Sequence, residues 1–106
     1  MNITVNARHM DITEAIRAYA QDKAQKLQRY YDRIMSIEII MDIEGGTPTV
    51  EVVTVATHNS TFVGRHRGED MYGCIDNAIH KVEEQLRRHK DRLRGHKGGV
   101  SAEGQV

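Results

Sequence analysis

Tryptophan is absent from this 106-residue chain, and aromatic residues make up only 5% of it. Aliphatic side chains must therefore build its core. The single cysteine, Cys74, cannot form an intramolecular disulfide and fits a reducing, cytoplasmic setting. No apolar run approaches the roughly 20 residues needed to span a bilayer. The first residues, Met1-Asn2-Ile3-Thr4-Val5, lack the basic patch and long apolar stretch of a signal peptide. Net charge is missing too, because 15 Lys and Arg balance 15 Asp and Glu. What is present, 39% hydrophobic and 28% charged residues, is ordinary for a globular protein. The length suits one domain with one core and is too short for two.

The neutral total hides an asymmetry. Residues 1–80 hold eight basic and eleven acidic residues, a net charge of −3, whereas residues 81–106 hold seven basic and four acidic, a net charge of +3. Binding to a polyanion depends on a local patch, so the distribution matters more than the sum.

Residues 2–8 alternate apolar and polar types with β-branched members and predict a first strand. Asp11, with Glu14 three residues on, or Thr13 is the expected N-cap of a helix. Ile16, Tyr19, Ala20, Ala24, Leu27, Tyr30 and Tyr31 recur at helical spacing and carry that helix to about Arg29 or Tyr30. Residues 34–43 switch to period two, with Ile37, Ile39, Met41 and Ile43 on one face and Ile40 as the exception. Gly45-Gly46-Thr47-Pro48 predicts a turn and 49–57 a third strand. The buried face of that strand is ambiguous, because Val50 and Val52 oppose Val53 and Val55. His58-Asn59-Ser60 predicts a second turn and 61–67 a fourth strand. Acid at Glu69 and Asp70 suits the start of a second helix. Met71, Ile75, Ala78, Ile79, Val82, Leu86 and Leu93 mark its apolar stripe to about Leu93. From Gly95 the periodicity ends, which predicts a disordered tail over 95–106.

The order is β-α-β-β-β-α, an α+β class. A helix between the first two strands implies parallel pairing through a right-handed crossover. The two short turns imply antiparallel hairpins. Both helices then run the same way, and their single apolar stripes predict two parallel helices on one face of a four-stranded mixed sheet. The other face is left open.

On a helical wheel Lys81, Gln85, Arg88 and Arg92 share one flank of the second stripe. Lys26, Arg29 and Arg33 fall on the corresponding flank of the first helix. Lys23 lies inside the first stripe, where it must snorkel or meet a partner. Such rows suit phosphates, in a sequence-independent and salt-sensitive manner. The competing reading is that cations late in a helix stabilise its C-terminal dipole. Arg65 and Arg67 on an edge strand can serve simply to block aggregation. His9, His58, His66, His80, His89 and His96 show no zinc-ligand spacing, so no metal is expected. Cys74 reads as a buried structural thiol. Gly45-Gly46 joins two strands and is no phosphate loop. Asp70 and Asp76 are not spaced as a carboxylate pair. No catalytic constellation and no cofactor site emerge, so the chain is not expected to be an enzyme.

Two segments carry a family resemblance. Glu69-Asp70-Met71-Tyr72-Gly73-Cys74-Ile75-Asp76, followed by Lys81 to Lys90, closely resembles the ribosome hibernation-promoting factors, the ribosome-associated translation inhibitor or sigma-factor modulation protein family. Asp11-Ile12-Thr13-Glu14-Ala15-Ile16-Arg17, then Lys23, Lys26 and Leu27, agrees as well. The length resembles the short type, and the resemblance spans residue 1 to about residue 96. It implies a ribosome-binding α+β domain over 1–94. It also implies binding to the small ribosomal subunit and its ribosomal RNA, in the channel of messenger and transfer RNA, and inhibition of translation in stationary phase or stress. Whether single ribosomes are silenced or ribosome dimers are promoted stays open. Ribosome modulation factor is a further partner the family suggests. No membrane and no small-molecule substrate are implied, and the free protein is expected to be monomeric. Lys23, Lys26, Lys81, Arg88, Lys90 and Arg92 match basic positions of the motif, and Arg29 joins them from the wheel. Glu84 stands where many members have Arg, and Gly73-Cys74 replaces a common Ala-Ala pair. Two other function classes share these features. A general RNA-binding module would bind protein-free RNA as well as ribosomes, and a protein-interaction regulator of transcription would show little salt dependence.

Overall fold

The computed structural model describes residues 2–98. Its elements are β1 (Asn2–Arg8), α1 (Glu14–Tyr30), β2 (Ile34–Glu44), β3 (Thr47–Ala56), β4 (Ser60–Arg67) and α2 (Met71–Gly98). The sheet order is β1-β2-β3-β4, with β1 and β2 parallel and the later pairs antiparallel. Each strand reversal follows from a turn the chain can make. Gly45 and Gly46 both take positive φ, 58° and 81°, between the paired residues Glu44 and Thr47. That is the signature of a two-residue turn whose twist matches the flanking strands. The second hairpin uses His58 and Asn59 at φ 65° and 59°. Asn tolerates that region better than most residues.

The helix starts are set by side chains. Thr13 is the N-cap of α1, its hydroxyl accepting from the Ile16 amide at 3.1 Å, which decides between the two candidates. The Asp70 carboxylate accepts from the Gly73 amide at 3.0 Å and caps α2. α1 lies over β1 and β2, and α2 over β3 and β4, on the same sheet face. The core between them holds Leu27, Ile37, Ile39, Met41, Val50, Val52, Ile75, Val82 and Leu86. Each such side chain contributes roughly 1.5–3 kcal/mol on full burial. His89 closes one end of this layer, with its ring edge-on to Tyr31 at 5.9 Å and Phe62 at 5.3 Å.

The ambiguous third strand is resolved by register. Val50, Val52, Thr54 and Ala56 face the helices, paired with or beside Met41, Ile39 and Ile37 of β2. Val53 and Val55 join Ile40 on the open face, so the exceptional Ile40 belongs to a sheet surface that the helices do not cover. α2 continues to Gly98, past the boundary expected at 94. A helix already nucleated gains a backbone hydrogen bond per added residue, and that gain leaves no apolar period to read. The rest of the expected disordered tail, 99–106, lies outside the described residues. Leu93, the last member of the apolar stripe, is 42% exposed because the stripe runs out beyond the layer closed by His89.

Thr54 breaks the apolar pattern of the buried face. It is 0% exposed, and its hydroxyl has no hydrogen-bond partner among the described residues. A buried, unpaired hydroxyl costs about 1–3 kcal/mol relative to an apolar group of similar shape. Thr54→Val is therefore expected to raise stability by about 1 kcal/mol, read as a higher denaturant midpoint at unchanged m-value.

Candidate nucleic-acid interface

The basic row expected along α2 divides in two. Lys81 turns onto the edge strand β4, where its ammonium donates to the Arg65 carbonyl at 2.5 Å. Gln85, one turn on, donates to the Val63 carbonyl at 2.7 Å. These side chains satisfy backbone oxygens that an edge strand otherwise leaves open. Arg88 and Arg92, the next members of the row, stay exposed and form no salt bridge among the described residues. Sequence periodicity puts all four on one flank. It cannot tell which of them reach a strand, because that depends on the position of α2 along β4.

The C-terminal end of α1 lies beside α2 at Lys90. Lys90 donates to the Tyr30 carbonyl at 3.2 Å and sits 4.4 Å from the centre of the Tyr30 ring. It thus satisfies one of the last carbonyls of α1 and favours the negative end of that helix. Arg29 is exposed at the same end, without a salt bridge among the described residues. Arg87 is engaged, at 2.6 Å from Glu84 and 3.8 Å from Asp91. Its hydrogen bond to Glu84 holds the Glu84 carboxyl below the usual carboxylate range and raises the guanidinium. Glu84, the departure from the family pattern, thus spends its charge on a neighbour of its own helix.

The seam between the helices carries the remaining two lysines. Lys23 finds the partner its place in the stripe demands. Its ammonium lies 3.4 Å from Asp76 of α2 and 5.3 Å from the Tyr19 ring centre. Tyr19 donates its hydroxyl to the same Asp76 oxygen at 2.6 Å, and its ring meets Tyr72 edge-on at 5.0 Å. Lys26 is more weakly held, 3.5 Å from Asp22 and 57% exposed. Tyr19, Tyr72 and Asp76 are members of this cluster that the sequence reading did not select as site residues. The helical spacing of Tyr19 and Lys23, and of Tyr72 and Asp76, was the available signal, and it needed the helix pairing to be read.

The hydrogen bond to Asp76 raises the Tyr19 phenol above its ordinary value, since ionisation would put a phenolate against a carboxylate. The Asp76 charge likewise raises Lys23. Both shifts are upward, so the stabilisation is complete below the ordinary values and is lost as pH rises through the higher folded ones. Of the four tyrosines, Tyr19 is expected to ionise late. In an ultraviolet titration of tyrosinate, Asp76→Asn should remove that late step.

His9, in the left-handed region at φ 60°, lies 2.9 Å from Asp42 at the margin of the open face. That hydrogen bond, reinforced by the Ile43 amide, lowers the Asp42 carboxyl. No metal-ligating cluster occurs among the described residues. Cys74 is buried, which raises its thiol, and its sulfur contacts the Pro48 carbonyl at 3.6 Å. No helix among the described residues is long and apolar enough to cross a membrane.

Comparison with known proteins gives this geometry a context. The chain is 33% identical over 96 residues to the ribosome hibernation promoting factor of Escherichia coli K12, which covers 91% of this chain and 100% of that protein. It is 33% identical over 92 residues to the factor of the same name from Azotobacter vinelandii, with 87% and 85% of the two chains covered. A ribosomal subunit interface protein from Coxiella burnetii has a similar structure, with TM-score 0.79, 30% identity and coverage of 86% of this chain and 99% of that one. The N-terminal domain of Protein Y from Thermus thermophilus aligns with TM-score 0.74 and 27% identity, covering 84% and 99%. The names of the first three place them at the ribosome, and none names a catalytic activity. The model of the Sigma 54 modulation protein / S30EA ribosomal protein family matches residues 3–94. The chain belongs to that family.

Proposed function

We propose that this protein is a cytoplasmic hibernation factor that binds the small ribosomal subunit and silences it without chemistry. It occupies the channel of messenger and transfer RNA in stationary phase or stress. The observation that carries this reading is a set of exposed arginines without salt bridges among the described residues, Arg88 and Arg92 on the β4 flank of α2 and Arg29 at the end of α1, on a chain related to a named hibernation factor. Exposed guanidiniums are suited to phosphate through paired N–H donors. Lys26 adds a fourth loosely held cation. Lys23, Lys81 and Lys90 have internal partners, and their part in RNA binding requires those contacts to be shared or exchanged.

Competition tests the reading. Protein added to empty small subunits should block the binding of messenger and initiator transfer RNA, and ligands bound beforehand should resist displacement. The protein should pellet with small subunits but far less with protein-free RNA of similar length. Simultaneous occupancy by protein, messenger and initiator transfer RNA at saturation would contradict the steric mechanism. Equal binding to protein-free RNA would favour a general RNA-binding module. Ribosome profiles on sucrose gradients, with and without ribosome modulation factor, distinguish silencing of single ribosomes from promotion of dimers.

A further inference from the structure

A notch of about 210 Å³ opens between α1 and α2. Leu27 and Ile79, at 2% and 9% exposure, form its apolar floor. Asp76, His80 and Glu83 stand on one wall, and Lys23 and Lys26 on the other. We propose that this notch receives one unpaired nucleobase bearing an exocyclic amino group, from a structured RNA. The proposal rests on the RNA-binding reading above and names what one part of that surface recognises.

The composition of the walls selects this ligand. A phosphate would meet two carboxylates at close range, a repulsion that the lysines only offset. A plain apolar group would desolvate those carboxylates without returning hydrogen bonds. A base has an apolar face for Leu27 and Ile79 and a polar edge for the wall. Ionised carboxylates only accept hydrogen bonds. They therefore match the exocyclic amino groups of cytosine, adenine or guanine and oppose the two carbonyl oxygens of uracil. Capacity remains for this contact. Tyr19 and Lys23 both approach Oδ1 of Asp76, which leaves Oδ2 to accept. The Glu83 side chain is 48% exposed, and its only partner among the described residues, His80 at 3.7 Å, is at the limit of an ion pair. Lys26, more than half exposed, is placed to take the phosphate attached to the seated nucleotide. Recognition of this kind is open to RNA loops and bulges, whose bases are unstacked, and closed to paired helices.

The test uses the full chain, isotopically labelled, titrated separately with cytidine, adenosine and uridine 5′-monophosphates and with inorganic phosphate. Cytidine and adenosine monophosphates should shift the methyl resonances of Leu27 and Ile79 and the amides of 76–83 saturably. Uridine monophosphate should bind at least roughly fivefold more weakly, the lower range for one base contact. Glu83→Gln replaces an acceptor by a group that also donates. It should bring cytidine and uridine monophosphates to within about twofold of each other while leaving the spectrum otherwise folded. Equal affinity for uridine and cytidine monophosphates in the unaltered protein, the same shifts from inorganic phosphate, or no shifts at the notch overturns the proposal. Co-sedimentation with small subunits is measured in parallel. Protein that pellets with subunits but shows no base preference defeats the notch alone. Protein that shows the preference but does not pellet defeats the ribosomal reading alone.

Discussion

Gly64→Ala is expected to cost this domain about 3 kcal/mol or more, at the upper end of the overpacking range, and to lower its Tm by roughly 12–24 °C. Gly64 lies in β4 under α2, and a Cβ built on it would stand 2.2 Å from the Ala78 carbonyl oxygen, 3.0 Å from Val82 Cγ2 and 3.1 Å from Lys81 Cβ. The nearest of these is backbone, so no rotamer change relieves the clash. The helix must move. Moving it stretches the Lys81 and Gln85 contacts to the Arg65 and Val63 carbonyls, which bracket Gly64 on the strand. It also loosens Ile75, Val82 and Leu86, which are fully buried by the same approach. A total stability of about 5–15 kcal/mol leaves little margin for this. Gly73→Ala is the matched comparison. Its Cβ would meet only the Asp70 side chain, at 3.6 and 3.9 Å. Near the start of α2 it should be neutral or stabilise by up to about 1 kcal/mol. Thermal unfolding followed by circular dichroism separates the two. A Gly64→Ala protein melting within a few degrees of the parent would show that α2 does not depend on this close approach.

The layout of the fold was legible because the connections allow few alternatives. One helical crossover and two tight turns determine the strand directions and put both helices on one face. What escaped lay where two physical demands produce the same residue types. β-branched residues on both faces of β3 hide which one is buried, and Ile40 adds an apolar side chain to the exposed side. Thr54 goes against the usual exposure of polar residues because its neighbours in register, Ile37 and Phe62, belong to the core. The basic residues posed the same difficulty. Lys81 and Arg88 share a flank of α2, yet one covers a strand edge and the other meets solvent. Lys23 was legible as needing a partner, but Asp76 as that partner depends on how α1 and α2 align. Charge periodicity reports which way a residue points from its own helix, and function depends on what the neighbouring element has already claimed.

That difference decides which substitutions should strip RNA binding without harming the fold. The triple change Arg29→Ala, Arg88→Ala, Arg92→Ala is expected to weaken binding to small subunits by tenfold or more at moderate salt, roughly in proportion to lost phosphate contacts. None of the three guanidiniums forms a salt bridge among the described residues, and all are exposed, so stability should change little. Each guanidinium that neutralises a phosphate releases about 0.7–0.9 counterions, so removing three contacts should flatten the logarithmic salt slope by about 2 to 3. Lys81→Ala, by contrast, uncovers a backbone oxygen of β4 and should lower stability as well as any affinity it carries. Glu51→Ala on the open sheet face is a control that should alter neither affinity nor slope. Co-sedimentation across a salt series measures both quantities, with circular dichroism confirming the fold. A folded triple variant that binds as tightly as the parent, with the same slope, would show that these three arginines are only solvated charge. The RNA-facing surface would then lie elsewhere on the molecule.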